Sequence, residues 1–541
     1  MAACPALAAL LLWPLPLVAH RALITSPLSE GVSHLWGWWA AMATRSPFTI
    51  ETTLINFPEG SRLELIDPLH LVPFWLGSWV SPALGFNLVI WLGLVVSGWA
   101  GWLLVREAHA GTGGDPRNTP IEQQWLATCI GLSCPTLLAV AVDGITESLG
   151  TGWVGVQLAL LLSLRRNRSA SRLFAWGLSL VACVHSGPYN AVWMALLDLP
   201  VGLWMLRHTR LHVLPTLIAA VLCIPYGQAL SERPSDMPGG SARIGALSSL
   251  ESLEGIGLTV YTQPWRAGSQ VGADILDLFV PAPFTGAYDI PSTAYLGMVT
   301  LVLTGIGIRR KSNRWWLVGA VIFALLALGP WLHLGGEPIG TERVRWMGPA
   351  GWAMTWTPLG RLTRWYRAGA VALLLLIPIA ARALTGRRAA AACLLVLLDA
   401  RWFAPLPATL PTQDARPSSA LLDIQGPVAE LPPVHPLFQA DRPAHSNLLQ
   451  QVFHGQAIAG TAHREQGAAA NHPTFMALRR LVAGEPRPND DAQRTLRALR
   501  ERGFVWIAVY KDRVPTAGIE GGRAPLGPVY SEDESVVVFE L

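Results

Sequence analysis

Charge is scarce in this sequence. Asp, Glu, Lys and Arg make up 14% of its 541 residues, against roughly 25% in an ordinary soluble protein. That shortage excludes a disordered chain, a coiled coil and an ordinary cytosolic enzyme. Cysteine is scarce as well. Cys4, Cys129, Cys134, Cys183, Cys223 and Cys393 all lie in apolar stretches, and none has C-x-x-C or other zinc-like spacing. A disulfide scaffold is therefore excluded, and the thiols read as small apolar helix residues. Also missing are G-x-S-x-G, a P-loop, and G-x-G-x-x-G between a strand and a helix, which leaves soluble-type hydrolases, ATPases and dinucleotide enzymes without support. The net charge of +4 is small. Basic residues fall in short clusters between apolar runs instead of forming a patch that tracks phosphates, so nucleic acid is not an expected partner.

What is present points to a membrane. Hydrophobic residues are 51%, Trp numbers 24, and the mean hydropathy is +0.36. A membrane helix needs about 20 mostly apolar residues. Candidates lie near 6–24, 83–105, 124–142, 152–164, 173–187, 188–206, 212–230, 293–308, 315–333, 367–385 and 389–404, about eleven spans. The short apolar stretch 69–81 carries Pro73 and reads as an interfacial or re-entrant helix. The first run lacks a basic n-region and a clean A-x-A site, so it reads as a retained span, not a signal peptide. Basic clusters follow several spans: Arg106; Arg165, Arg166, Arg168 and Arg172; Arg207 and Arg210; Arg309, Arg310, Lys311 and Arg314; Arg387 and Arg388. With a cytoplasmic N-terminus every one of these lies inside, as the positive-inside rule requires. The loops 25–82, 143–151, 231–292 and 334–366, and the tail, then lie outside.

A boundary falls near residue 405, where Pro405, Pro407 and Pro411 mark a linker. Every Trp except Trp506 precedes it. The expected domains are a helical membrane domain over 1–404 and a small α/β domain outside the membrane over 405–541. In the tail, 491–502 reads as an amphipathic helix with Leu496 and Leu499 on one face, stopped by Gly503. Phe504–Tyr510 and Ser535–Leu541 read as strands. The tail histidines His435, His445, His454, His463 and His472 show no metal-ligand spacing.

Four places could carry chemistry. The first outside loop holds Glu30, His34, Arg45, Glu51, Glu59, Arg62, Glu64 and Asp67. A carboxylate there suits a general base acting beside a lipid-borne donor. Glu30 and His34, four residues apart, could share a helix face, with Trp36, Trp38 and Trp39 at headgroup depth. The same acids would equally serve as solvated surface charge. Asp143 and Glu147 lie in another outside loop; carboxylates from the two separate loops could converge on one site and hold a divalent cation through oxygen, or the segment could simply cap helices. His185–Tyr189 (HSGPY) ends a span, as a functional site or as a simple turn. Arg361, Arg364 and Arg367 are spaced to line one side of a helix. Arginine forms bidentate bonds to phosphate oxygens, whether of a specific lipid donor or of ordinary lipid.

Taken in order, these residues resemble one family, the large bacterial membrane proteins of GT-C glycosyltransferase architecture, including its YfhO-like members. The first loop is similar to the family's acid, then HLW, PF and FP-G segments, as Glu30, His34-Leu35-Trp36, Pro47-Phe48 and Phe57-Pro58-Glu59-Gly60. Gly85-Phe86-Asn87-Leu88 resembles its G-x-N-L entry to a span, and Tyr295-Leu296-Gly297 its YLG helix start. Arg361 to Arg367 stands where the family has an Arg-containing segment. Glu430-Leu431-Pro432, His454-Gly455-Gln456-Ala457-Ile458 and Leu499 to Ile507 resemble its tail motifs. Two positions depart from the pattern: Glu30 stands where Asp is usual, and Gln456 where Lys is usual. The extra methylene of Glu30 moves its carboxylate outward, a shift to which catalytic geometry is sensitive.

The resemblance implies a GT-C helical bundle with a soluble domain, in a bacterial inner membrane. It implies transfer of a sugar from a polyprenyl-phosphate carrier to an acceptor outside the cytoplasm. Glu30 would be the base with His34 beside it, and Asp143, Glu147 and Asp67 would support it or hold a cation. Arg361, Arg364 and Arg367 would hold the donor phosphate. The altered acid motivates the rival expectation, a non-catalytic membrane scaffold or accessory subunit on the same fold.

Overall fold

Proline, more than hydropathy, decides where the apolar runs break into helices. In this computed structural model the described residues are 3–25, 31–111, 113–142, 144–166, 168–206, 213–231, 272–281, 294–309, 313–340, 346–356, 364–402, 410–431, 446–460, 472–483, 491–511 and 526–541. The run 83–105, with no internal proline, forms the 29-residue helix Pro82–Ala110. The run 124–142 forms Ile121–Leu132 and then Pro135–Val142. The break falls at Ser133 and Cys134, because proline disfavours a helical residue before it and supplies no N–H of its own. The same chemistry corrects the first expected span. Residues 6–24 are not one helix but Cys4–Leu11, a turn through Pro14, the short Leu15–Val18 and a strand, Ala22–Ile24.

Among the described residues three helical stretches are long and apolar enough to cross a membrane: Pro82–Ala110, Ile121–Val142 with its break at Ser133 and Cys134, and Thr146–Leu164, which opens on a 3-10 turn. Shorter apolar helices stand at Ala170–His185, Val213–Ala229, Met298–Gly307, Arg314–Ala327 and Trp365–Ala380. The chain divides by packing into two units, the first made of 1–19, 66–73 and 87–411 and the second of 20–65, 74–86 and 412–541. The second unit thus takes in most of the loop 25–82 as well as the tail, while residues 66–73 of that loop belong to the first unit.

At the centre of the first unit lies Ala368–Ala380, every residue of which is buried. A helix apolar on all sides belongs inside a bundle, and this one packs against Met298–Gly307, Arg314–Ala327, Ile121–Leu132 and Thr151–Leu164. The outer helices show apolar faces instead: Leu214, Leu217, Ile218, Val221 and Leu222 on one, Trp315, Val318, Val321, Ile322 and Leu325 on another. Such contiguous exposed apolar surface suits lipid, not water.

The Tyr295-Leu296-Gly297 segment has a clear structural basis. Gly297 takes φ +82° and leads into Met298–Gly307. Asp399, from the helix Gly386–Trp402, accepts from the Val299 N–H at 3.0 Å and from the Tyr295 hydroxyl at 2.9 Å. The Met298 N–H donates to the Tyr295 oxygen at 2.6 Å. A carboxylate from a neighbouring helix therefore serves the open N–H groups that every helix start presents.

In the second unit a four-stranded sheet runs Val428–Leu431, Trp506–Tyr510, Val536–Glu540, Val529–Glu532. The first pair is parallel and the others antiparallel. The amphipathic tail segment is the helix Ala492–Glu501, capped by the Asp491 side chain, which accepts from Gln493 N–H at 3.0 Å. Leu496 and Leu499 enter a core with Phe475, Leu478, Phe504, Ile507, Val537 and Phe539. Gly503, at φ +89°, ends the helix. The first part of the loop, up to residue 65, joins this unit. Ala22–Ile24 pairs antiparallel with Thr412–Asp414. The Phe57 N–H donates to Ile458 O at 3.1 Å, and the Ile458 N–H to Leu54 O at 2.8 Å. Phe57 meets Phe504 edge-on, ring centroids 5.3 Å apart, and Glu59 pairs with Arg502. The FP-G, HGQAI and helix–strand motifs, separate in sequence, thus form one packed set.

Candidate active site

Four buried ionisable side chains of the first unit, Asp67, His70, Glu147 and Arg367, gather around two short turns. Pro68 starts a 3-10 turn, Pro68–His70, directly after Asp67. A second 3-10 turn, Thr146–Ser148, joins the helices on either side of residue 145 and is wholly buried. Asp67 is itself fully buried. Its Oδ2 accepts from the Thr146 hydroxyl at 2.6 Å and lies 3.0 Å from His70 Nδ1. The i, i+3 spacing of Asp67 and His70 on one turn makes that dyad local. The bond to Thr146 reaches across the fold.

Next along the turn, Glu147 Oε1 lies 2.8 Å from Arg367 Nη2, with 7% and 4% of the two side chains exposed. Arg367 ends the 3-10 turn Trp365–Arg367 and leads into the central helix. Its guanidinium lies over the Tyr189 ring, Cζ 4.4 Å from the centroid, a cation–π arrangement that gains strength away from water. Its Nε and Nη1 are buried with no acceptor among the described residues. Orphaned buried donors are costly, and here they amount to unused capacity for an anionic oxygen.

The HSGPY segment supports this pair. Asn190 donates to the Glu147 carbonyl at 2.8 Å and accepts from Thr151 at 3.1 Å. Gly187 has φ +147°, and a Cβ there would lie 3.0 Å from the Glu147 carbonyl oxygen, so the two segments need this close approach. The Tyr189 oxygen accepts from the Arg364 N–H at 3.0 Å. His185 stacks on Tyr226, centroids 5.3 Å apart, and the Tyr226 hydroxyl donates to Ile66 O, beside Asp67.

Of the expected site residues, Asp67, Glu147, Arg367 and the Arg364 backbone come together here. Glu30, Asp143 and Arg361 lie outside the described residues. His34 belongs to the second unit, half-buried with its ring 6.3 Å from that of Trp38. The expectation of three arginines along one helix is corrected. Arg364 has non-helical φ −119° and ψ 65°, and precedes the turn, so it does not share a helical face with Arg367. Among the described residues no group of three or more His, Cys, Asp or Glu could hold a metal ion. Sequence reasoning missed His70, Asn190 and Tyr226. The Asp67–His70 spacing could have marked the first; nothing local marks the other two.

No protein-family model and no curated protein matches this sequence. Among solved structures, the chain is similar to the arabinofuranosyltransferase AftD from mycobacteria. The TM-score is 0.50 at 15% identity, covering all of this chain and 39% of that one. A mutant of the same enzyme gives 0.50 at 14% identity, with 41% of that chain covered. ArnT from Cupriavidus metallidurans in the apo state aligns over all of this chain and 97% of that one, at 14% identity and a TM-score of 0.39. The chain spans about two fifths of the length of the arabinofuranosyltransferase it matches. At these identities the likeness to the arabinofuranosyltransferase is one of fold alone.

Proposed function

We propose that the chain is a membrane glycosyltransferase that moves a sugar from a polyprenyl-phosphate donor to an acceptor outside the cytoplasm, from a bacterial inner membrane with the N-terminus inside. The observation that carries this reading is the buried Asp67–Thr146–Glu147–Arg367 cluster on a fold shared with an arabinofuranosyltransferase. A transferase acting on a phosphate-linked sugar needs a fixed positive group for the leaving phosphate and a base for the acceptor hydroxyl. Arg367 supplies buried guanidinium donors not engaged by Glu147. Glu30 is the base in this reading, with His34 beside it in sequence, and Asp143, Glu147 and Asp67 are its supporting carboxylates. Arg361 and Arg364 would add contacts to the donor phosphate. A divalent cation, if used, would draw its ligands from Asp143 and Glu147.

The mutual neutralisation of Glu147 and Arg367 favours one second reading, a non-catalytic scaffold or accessory subunit that keeps the fold. Native mass spectrometry of the detergent-purified protein separates the two. A co-purified lipid with the mass of a polyprenyl phosphate, lost in Arg367→Gln, supports the transferase. A folded protein that carries no such lipid and transfers no sugar from a polyprenyl-phosphate donor sinks it, whereas transfer that Glu30→Gln leaves unchanged removes only Glu30 as the base.

A further inference from the structure

A further pair of polar side chains meets inside the first unit. Gln157, in the helix Thr151–Leu164, is fully buried. Its Nε2 donates to Oδ2 of Asp198, from the helix Pro188–Leu206. At about 1.5 Å per residue, Asp198 stands about 15 Å along its helix from Pro188. The run 188–206 reads as a span, so this depth is close to the middle of a hydrocarbon core roughly 30 Å thick. Ionisable residues inside a membrane are costly to keep and mark functional sites.

The other oxygen of each side chain lacks a donor. Asp198 Oδ1 and Gln157 Oε1 are both buried with no hydrogen-bond partner among the described residues, whereas buried acceptors are nearly always served. No positive charge offsets Asp198 either. Its helix packs against Thr151–Leu164, Ala170–His185 and the turn Thr146–Ser148. The first carries no ionisable side chain, the second carries Arg172, Cys183 and His185, and the third Glu147. Arg172 donates to Ser163 O, His185 stacks on Tyr226, and Glu147 pairs with Arg367. The Cys183 thiol is close enough to feel Asp198 electrostatically, and a thiol offers no positive charge. An ionised Asp198 would therefore be a buried carboxylate without a counter-ion, which costs far more than a neutral acid.

We propose that Asp198 and Gln157 form a proton-binding site in the bilayer core, in which Asp198 holds a proton as a neutral acid at neutral pH and donates it to Gln157. One proton on Oδ1, shared with Gln157 Oε1, serves both orphaned oxygens. It closes the ring of two hydrogen bonds that a carboxylic acid makes with a primary amide. The same two helices are tied again near their first residues, where the Thr151 hydroxyl donates to Asn190 Oδ1 at 3.1 Å. There Tyr189 lies against Arg367, and Asn190 against Glu147. Loss of the proton sets a carboxylate oxygen against the Gln157 oxygen and removes one of the two bonds of the deeper tie. The site is thus a pH-sensitive clamp on helices that carry part of the candidate active site. It goes beyond the transferase reading and does not depend on it.

The test is infrared spectroscopy of the full chain in lipid bilayers at neutral pH. Aspartate is labelled with carbon-13 at the side-chain carboxyl, so that its bands separate from those of glutamate. The expected spectrum contains the C=O stretch of a protonated aspartic acid, and Asp198→Asn removes it. Asparagine keeps a donor and an acceptor at this position, so that variant should fold with an unchanged thermal midpoint. In Gln157→Leu the same band should persist at higher frequency, because its hydrogen-bond partner is gone, and this variant carries the test if Asp198→Asn does not fold. A spectrum without a protonated-acid band that Asp198→Asn removes, or a band that Gln157→Leu leaves unmoved, overturns the proposal. So does a thermal midpoint that sodium chloride raises above choline chloride in the native chain but not in Asp198→Asn, which would make the ligand a metal cation and not a proton.

Discussion

Glu147 Oε1 sits 2.8 Å from Arg367 Nη2, and water reaches almost none of either side chain. Two residues with different expected tasks, support of a base and capture of a phosphate, thus neutralise each other in this state. A buried pair gains little over a well-packed apolar pair, but losing one partner leaves an uncompensated charge. Arg367→Met alone should therefore destabilise the protein by about 3–5 kcal/mol, and Glu147→Leu alone by a similar amount. The double variant should regain most of that loss. Thermal transitions followed by tryptophan fluorescence in detergent would decide it, and additive losses in the double variant would rule out the pairing.

Gly187 tests how closely the HSGPY turn must approach this pair. Alanine there would place a methyl group 3.0 Å from the Glu147 carbonyl oxygen and 3.1 Å from its Cβ, at a φ of +147°. Strain of this kind costs of order 1–3 kcal/mol. Gly187→Ala should lower the thermal midpoint and weaken any lipid retention that depends on Arg367. Gly202, with nothing near its missing Cβ, is the matched control, and Gly202→Ala should change neither.

Asp399 serves a helix to which it does not belong. Asp399→Ala leaves the Val299 N–H and the Tyr295 hydroxyl without their acceptor. Loss of a capping acceptor costs roughly 0.5–2 kcal/mol. Tyr295→Phe, which keeps the ring, should cost less than Asp399→Ala, and the pair together should fall short of the sum because the two share one network. Strict additivity in the same thermal assay would argue against the shared cap.

His454 makes the second unit sensitive to acid. Burial pushes its imidazole down from 6.5 to about 4, with Nδ1 accepting from the Gln456 N–H at 3.0 Å. Because the folded pKa lies below the unfolded one, the unfolded chain binds the proton first as pH falls. Stability from this residue is full above about pH 6.5, declines between about 6.5 and 4, and is level below that. The total loss is at most on the order of 3 kcal/mol. His454→Asn should flatten that part of the stability–pH curve. An unaltered slope between those two pH values would show that another group carries it.

Much of this fold was legible from residue order because hydropathy and proline act locally. Apolar run length located the helices Pro82–Ala110, Thr151–Leu164 and Ala170–His185, while Asp491 and Gly503 marked the limits of the tail helix. The break of the first run at Pro14 was equally local, and hydropathy alone passed over it. Asp67, Glu147 and Arg367 could be named as candidates from residue type and expected side of the membrane. Their partners could not. Whether Arg367 meets a carboxylate, whether Asp399 caps Met298–Gly307, and whether Gln451 takes the Trp36 N–H depend on segments far apart in the chain. A run of residues carries its own helical or strand preference. It carries no record of which distant donor will lie within about 3 Å of a buried acceptor, since hydrogen bonding of that kind arises only when packing removes the water that would otherwise serve both groups.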